Sequence, residues 1–431
     1  MQKIKIGFVI IVVILSTLPA FAVKFYPDDP VKKDNDQKPI PEPINRKASY
    51  VYDLIKNTRY KDKHVGTPAA NTNTLGEVPD SSWFTNRISA PGISKEELVR
   101  GPNQLNGPEP GKWTIIEAKS QGVSPGFTIQ DSKGEVYFLK FDPIKNPQLA
   151  TSTEVIVTKF FHGFGYNVPE NYIALLHPEN LQISPDAIIT DENGQHRKMQ
   201  KSDVNVILRK VPMMDGTVQV LASRKIPGEL IGPFKFKGTR GDDPNDIFMH
   251  EDRRELRGLR VFCAWLNHEE STAINTLDSY VGASGSGYIK HYLIDFGSAL
   301  GSDSIRPNDL RSGNEYEVEW GPIFKSAFSL GFMDRKWRSV HYPHYPSVER
   351  LESQYFQPEK WKPDYPNPAF NRMLPDDAFW ATKIVMHFTD EIVAALVKTG
   401  RYENPGAEDY VTRTLIERRN KVINYYLSLL P

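Results

Sequence analysis

Two short segments hold residue types and spacings able to do chemistry together. Leu293-Ile294-Asp295-Phe296-Gly297 ends an apolar run with an acid, an aromatic and a glycine. A carboxylate at the end of a buried strand can face a cleft, and the glycine lets the backbone turn behind it. Upstream lies Trp265-Leu266-Asn267-His268-Glu269-Glu270-Ser271-Thr272-Ala273-Ile274-Asn275, in which Glu270 and Asn275 are five positions apart. The Asn275 carboxamide oxygen and the Asp295 carboxylate are hard oxygen donors of the kind Mg²⁺ or Mn²⁺ takes. Glu270 adds a carboxylate able to accept a proton. Positive charge comes from Lys140, flanked by Leu139 and Phe141, with Glu154 fourteen positions on. A strand lysine steadied by a helix glutamate is an arrangement that holds phosphate groups. Lys119, Gly122 and Gly126 lie in the stretch before Lys140, where small residues let backbone amides approach an anion.

Other motifs fail. His268-Glu269-Glu270 lacks the second histidine of a zinc-protease helix, because position 272 is Thr. Gly111-Lys112 has no glycine five residues earlier and is no phosphate loop of the Walker type. The Gly282 to Gly287 stretch has no G-x-S-x-G phase. His341 and His344 sit in a Pro/Tyr loop with no partner pattern for a metal.

Positioning these groups requires particular elements. Trp113 to Glu117, Gly126 to Gln130 and Glu135 to Phe141 read as strands, with Asp131-Ser132-Lys133-Gly134 as a turn. Thr151 to Gly163 reads as a helix. Val168 to Leu176 and Val204 to Val211 read as strands, and Asp215-Gly216 as a hairpin turn. Asp243-Pro244-Asn245-Asp246 is a helix-start signal for Ile247 to Leu266. The arginines of Arg253 to Arg260 read as a solvated helix face. A last helical stretch carries Ile384, Val385, Phe388, Ile392 and Leu396 on one stripe, and a second helix runs from about Glu408 to Leu429. A β-rich half precedes an α-rich half, which gives an α+β class.

In the order strand Lys140, helix Glu154, long helix, Glu270 with Asn275, strand, Asp295-Phe296-Gly297, the chain resembles the protein-kinase-like superfamily. The resemblance is to divergent members such as HipA-like bacterial kinases and the secreted Golgi casein-kinase group, and spans about residues 113 to 300. It implies a two-lobed fold, with a β-rich lobe over 107–227 and a helical lobe over 228–431. It implies ATP or another nucleoside triphosphate with Mg²⁺ or Mn²⁺, and phosphoryl transfer to a protein or small-molecule hydroxyl. Lys140 would hold phosphates with Lys119, Gly122 and Gly126 nearby, and Glu154 would orient Lys140. Asn275 and Asp295 would hold metal, and Glu270 would stand where the family has a catalytic aspartate. Glu is one methylene longer, and Glu269 and Thr272 replace a usual Arg and Lys. A kinase-derived binding module without turnover, or nucleotidyl transfer on the same fold, are therefore the alternatives.

The 431 residues carry 53 basic and 53 acidic side chains, with 39% hydrophobic and 25% charged residues. Such composition excludes full-length disorder, collagen and a multispan membrane protein. The balance argues against a nucleic-acid partner. Lys3 and Lys5, the apolar Phe8 to Leu18 and Ala20-Phe21-Ala22 form a secretory signal pattern, so export to the periplasm or exterior after cleavage near Ala22 is expected. Membrane contact follows only if that segment stays uncleaved. Residues 23–48 read as an extended tail and 49–106 as a cap that packs Trp83 and Phe84 on the main body. Cys263 stands alone, so neither an intramolecular disulfide nor a cysteine zinc site is available.

Overall fold

The computed structural model describes residues 36–430 apart from 61, 63–64, 89–91, 120–124, 191–194 and 319–334. The signal segment, Gly122 and the side chain of Lys119 lie outside the described residues.

Ahead of the sheet come two short helices, α1 (Tyr50–Arg59) and α2 (Lys95–Arg100). The first three strands form where β-branched and aromatic residues alternate with polar ones: β1 (Trp113–Lys119), β2 (Gly126–Gln130) and β3 (Val136–Phe141). The β2–β3 turn closes because Asp131 Oδ1 accepts from the N–H groups of Lys133 and Glu135, both at 2.9 Å. Gly134 takes φ +85° there. Helix α3 (Leu149–Phe164) follows, then β4 (Asn171–Leu176), β5 (Leu181–Thr190) and β6 (His196–Lys198).

The segment from Val204 is a helix, not a strand: α4 covers Lys201–Leu208. Valine and isoleucine favour strands, but a capping box between Gln200 and Asp203 starts a helix here. Val204 and Ile207, three apart, then share a buried face. Strand β7 (Val218–Arg224) completes a seven-stranded sheet in the order β4-β7-β3-β2-β1-β5-β6. All its pairings are antiparallel except β1–β5, so the sheet is mixed.

Beyond it, β8 (Glu229–Leu230), β9 (Thr276–Val281) and β10 (Tyr288–Leu293) make a small antiparallel sheet. The helix expected over Ile247 to Leu266 begins later, as α5 (Arg254–Leu266) after a 3₁₀ turn at His250–Asp252. Asp246 does not start it, because its carboxylate is drawn to the His250 ring and the Arg253 guanidinium, at 2.7 and 2.9 Å. Asn267 ends α5 at φ +52°, a left-handed residue that asparagine tolerates. The C-terminal stripe divides into α7 (Pro375–Met386) and α8 (Asp390–Lys398), after the short α6 (Pro368–Asn371). Thr389 caps α8 by accepting from the Ile392 N–H. The chain ends on α9 (Pro405–Leu427).

Two hydrophobic cores result. One lies on the large sheet, with Trp113, Ile129, Leu139 and Val220. The other joins α3, α5 and the C-terminal helices, with Phe160, Trp265, Trp380 and Val411. Helix α3 is buried along nearly its whole length and stands between sheet and helices. Trp83 and Phe84 are 4% and 1% exposed. The Trp83 ring stacks on His291 at 3.6 Å, so residues before the sheet form part of the second core. The described part of the tail is docked as well: Ile40 is fully buried and bridges Gly287.

The arginine run is not a solvated face. Arg253, Arg254 and Arg257 are 1%, 8% and 0% exposed. Several of their partners come from distant segments. Arg254 reaches Asp377 and the Gly76 carbonyl, and Arg257 reaches Asp252 and the Thr67 carbonyl.

Candidate active site

Lys140 points from β3 to a junction of three elements. Its ammonium lies 2.7 Å from Asp295 Oδ1 and 3.5 Å from Glu154 Oε2. Residues far apart in sequence thus share one ammonium. Strand register puts Lys140 in a rung with Gly126 of β2 and Leu221 of β7, and Gly126 in turn opposite Lys119. A side chain at Gly126 would strike the Leu139 carbonyl, its Cβ falling 2.6 Å away. Sheet packing alone therefore requires that glycine.

Helix α3 is set against β3 by Asp142, two residues after Lys140. Gln148 precedes the helix in a left-handed conformation without a capping side chain. Asp142 fills that role from outside, accepting from the N–H of Ala150 and of Thr151 and from the Thr151 hydroxyl at 2.7–2.9 Å. Glu154 follows one turn later. It is buried, and it also accepts from the Phe296 N–H at 2.9 Å. One carboxylate so ties the lysine strand to the Asp295 loop. Gly297 is needed beside it, because a Cβ would come within 3.2 Å of Glu154 Oε2 and 2.6 Å of Ser304 Oγ.

Asp295 follows β10 at φ +61°. This left-handed backbone turns the carboxylate toward Lys140. Phe296 behind it is fully buried and stacks on Phe161 of α3 at 4.8 Å. The aromatic anchors the loop to the same helix that carries Glu154.

The loop after α5 brings the other expected residues. His268 Nδ1 lies 3.1 Å from the Ser298 carbonyl, linking this loop to the one after Asp295. Asn275 is buried, and its amide nitrogen donates to the Glu270 carbonyl at 3.0 Å and to Glu270 Oε2 at 3.2 Å. With the nitrogen engaged, the amide oxygen is the atom left for a cation. Asn275 accepts the Ile294 N–H through its backbone carbonyl, which fixes it beside the strand end at Asp295.

The charges set the protonation states. Burial opposes the Lys140 ammonium, but Asp295 and then Glu154 outweigh it and raise its pKa. Lys140 in turn holds the Asp295 carboxylate below its ordinary range. Burial raises Glu154 above the usual value, against the pull of Lys140. Burial, and next the charge of Asp364, lift Glu270 to about 7, while a hydrogen bond from Ser298 works the other way. Burial raises Glu269 well above the ordinary value, with Asp364 adding to it. Asp364 itself is lifted to about 6, first by burial. His268 is lowered to about 4 by burial and is neutral at pH 7.

Asp364 and Tyr50 have no counterpart in the sequence reading. The Tyr50 hydroxyl lies 3.1 Å from Asp364 Oδ2 and 2.7 Å from Glu317 Oε2. The Asp364 N–H donates to the Glu269 carbonyl at 3.1 Å. Asp364 sits among prolines some ninety positions after Glu270, where no local spacing marks it. Asp278 is structural: it is fully buried between Arg240 at 2.8 Å and His291 at 2.6 Å. Cys263 is fully buried in the helical core.

The donor set suits a divalent cation shared with phosphates. Among the described residues, no three His, Cys, Asp or Glu side chains form a cage. Asn275 and Asp295 instead offer two hard oxygens, the small protein share Mg²⁺ takes when phosphates and water complete its shell.

No family model and no curated protein matches the chain. Among solved structures it is similar to the Helicobacter pylori proinflammatory kinase CtkA. The identity there is 11% and the TM-score 0.37, over 72% of this chain and 94% of that one. It is also similar to the Golgi casein kinase, at 9% identity and a TM-score of 0.35, over 88% of this chain and 89% of that one. In this α+β chain a strand lysine is met by a helix glutamate and by the aspartate of Asp-Phe-Gly, with the Asn275 loop between Glu154 and Asp295 in sequence.

Proposed function

We propose that this chain is an exported kinase-like phosphotransferase that moves a phosphoryl group from ATP, or another nucleoside triphosphate, to a hydroxyl of a protein or small molecule. The observation that carries the reading is the Lys140 ammonium shared by Asp295 and Glu154. Export rests on the Lys3 to Ala22 pattern. Among the described residues no helix is long and apolar enough to cross a membrane.

In this reading Lys140 exchanges part of its contact with Asp295 for a nucleotide phosphate. Its 38% side-chain exposure leaves room for that exchange, and the buried Glu154 keeps the ammonium in place. Asn275 and Asp295 would hold Mg²⁺ or Mn²⁺, whose charge would offset that of the phosphates. Glu270 accepts the acceptor's proton as that hydroxyl oxygen bonds to phosphorus and the nucleoside diphosphate leaves. A carboxyl lifted to about 7 is matched to general-base work near neutral pH. Asn275 donates to Glu270 Oε2 at 3.2 Å, which would hold the longer side chain against its own loop.

The test is the purified chain from residue 23 onward with Mg²⁺ or Mn²⁺, labelled ATP and a mixed protein acceptor. Transfer that disappears in Asp295→Ala supports the reading. Transfer that survives it overturns the assignment. Nucleotide binding without transfer favours the binding-module reading, for which Glu270 in place of aspartate is the specific motive. A nucleotidyl rather than phosphoryl mass on the product favours the third.

A further inference from the structure

A hollow of about 250 Å³ opens where four parts of the chain meet: the segment before the sheet, the C-terminal end of α3, the stretch after β7 and strand β10. None of Lys140, Glu154, Glu270, Asn275 or Asp295 lines it. The volume lies below the roughly 300–1,000 Å³ of sites for drug-sized molecules, so it suits a small ion or one end of a ligand.

Its walls are cationic. Arg87, His162, Lys225 and Lys290 come one from each of those four parts, and Arg224 adds a fifth basic group. Among the described residues, Glu170 is the one acid on the wall. It is already engaged, accepting from Arg224 at 2.7 Å and from the Gln104 N–H at 2.9 Å. Arg224 also reaches Glu135 at 2.8 Å, so these charges offset one another. Arg87, His162 and Lys290 are left with no free carboxylate on the wall.

A set of open donors is the second, independent observation. Arg87 donates through Nη1 to the His162 carbonyl at 2.9 Å. Its Nε and Nη2, the Lys290 ammonium and the His162 ring nitrogens have no hydrogen-bond partner among the described residues. All of them stay open to solvent, although the three residues are half-buried. The Lys290 ammonium lies 5.6 Å from the centre of the Tyr292 ring, which is itself part of the wall. Burial, and next the charge of Arg87, lower both the His162 ring, to about 3, and the Lys290 ammonium. The charges acting on His162 are those of Arg87, Lys159, Arg100 and Lys290, all positive. Asp80 acts on Arg87. Like charges held together in a half-buried hollow oppose folding, and an anion among them reverses the sign.

We propose that this hollow binds a phosphate dianion, held by Arg87 and Lys290 as charged donors and by the N–H of the neutral His162 ring, with the exposed Lys225 adding charge. Phosphate oxygens accept hydrogen bonds, which matches a wall of open donors, and the planar arginine fork fits two of them. Helix α3 carries Glu154 and β10 leads to Asp295, so the anion would tie together the two elements that hold the partners of Lys140. Such a ligand is an effector of the cleft. The site does not depend on the phosphoryl-transfer reading.

The experiment is calorimetric titration of the chain from residue 23 with inorganic phosphate at neutral pH, without nucleotide or divalent metal and with ionic strength held constant by chloride. Saturable 1:1 binding is expected. Lys290→Met should weaken it at least tenfold, and Lys140→Ala should leave it unchanged, which separates this site from the nucleotide cleft. Thermal unfolding in phosphate-free buffer gives a readout that a merely structural lysine would not: Lys290→Met should raise the midpoint, because it removes a repelled charge, and should lose the further rise that phosphate gives the unsubstituted chain. N-acetyl-phosphoserine amide as a second titrant assigns the source: tighter binding than phosphate points to a phosphorylated side chain, and weaker binding to the free ion. No saturable binding, binding kept in Lys290→Met or lost in Lys140→Ala, or a lower midpoint for phosphate-free Lys290→Met overturns the proposal.

Discussion

Around α5, Arg257 is fully buried and spends its guanidinium on the carbonyls of Glu251 and Thr67 and on the Asp252 carboxylate, at 2.6–2.7 Å. At the cleft, Lys140 and Asp295 keep 38% and 42% of their side chains exposed and contact each other at 2.7 Å. Both regions hold ion pairs tied to distant segments, through the Thr67 carbonyl in the first and through Lys140 and Asp295 themselves in the second. In the first, each charge is enclosed by groups from three or four segments and has no room for a newcomer. In the second, the charges meet at an open edge, and only Glu154 is enclosed. Enclosure converts charge into architecture, whereas an open edge leaves charge available to a ligand.

The sharpest way to break the comparison is one substitution on each side. Arg257→Met removes a cation of similar length and leaves Asp252 and Asp377 without it. Removing one partner of a buried pair costs about 3–5 kcal/mol, so urea unfolding followed by tryptophan fluorescence should show a loss of that size. Asp295→Ala should change stability by less than about 1 kcal/mol, as for an exposed pair. The same substitution should slow phosphoryl transfer at least ~10³-fold, equivalent to about 4 kcal/mol of barrier. If Asp295→Ala destabilises as much as Arg257→Met, the cleft charges are architectural too.

This contrast also marks how far sequence reading reached. Lys140, Glu154 and Asp295 were legible because each sits at a fixed place in a local pattern: a strand residue, a helix residue, a strand end. Their convergence follows from the order of elements. The arginine run was misread because its partners, Asp377, Gly76 and Thr67, are more than a hundred positions from it. A helix face cannot announce whether another segment will cover it. Asp364 was missed for the same reason, and β5 because its pairing with β1 is parallel and non-local. The Val204 helix was missed differently: a local cap and a buried i, i+3 face overrode residue preference.

A smaller effect sharpens the open side of the comparison through pH. Glu270 has an ordinary value of 4.5 and is raised to about 7 in the fold. A raised acid stabilises the folded state fully below its unfolded pKa, and that contribution is lost as pH rises toward the folded value. Glu270 should therefore cost the protein on the order of 3 kcal/mol of stability between pH 4.5 and 7. Transfer runs the other way, rising as the carboxylate forms through about pH 7. Glu270→Gln should flatten both curves, giving a protein less sensitive to pH in unfolding and without the rising limb in rate. A variant that keeps the rising limb assigns proton acceptance elsewhere, with Asp364, whose charge acts on Glu270, as the first candidate.

The smallest expected effect tests how the two regions are held in register. Asp142 touches neither Lys140 nor Asp295, yet it receives the first free N–H groups of α3 and so sets where Glu154 falls along that helix. Asp142→Ala should cost about 1 kcal/mol of stability, as the loss of a cap does. If the enclosed Glu154 is what keeps the open pair in place, the same substitution should lower kcat with little change in the acceptor's KM, because the lysine shifts while the acceptor surface does not. Asp142→Asn, which retains an oxygen for the two N–H groups, should recover most of the rate. A stability loss with an unchanged kcat would instead show that the burial of Phe296 against Phe161, 4.8 Å apart, holds Glu154 and the Asp295 loop together without the cap.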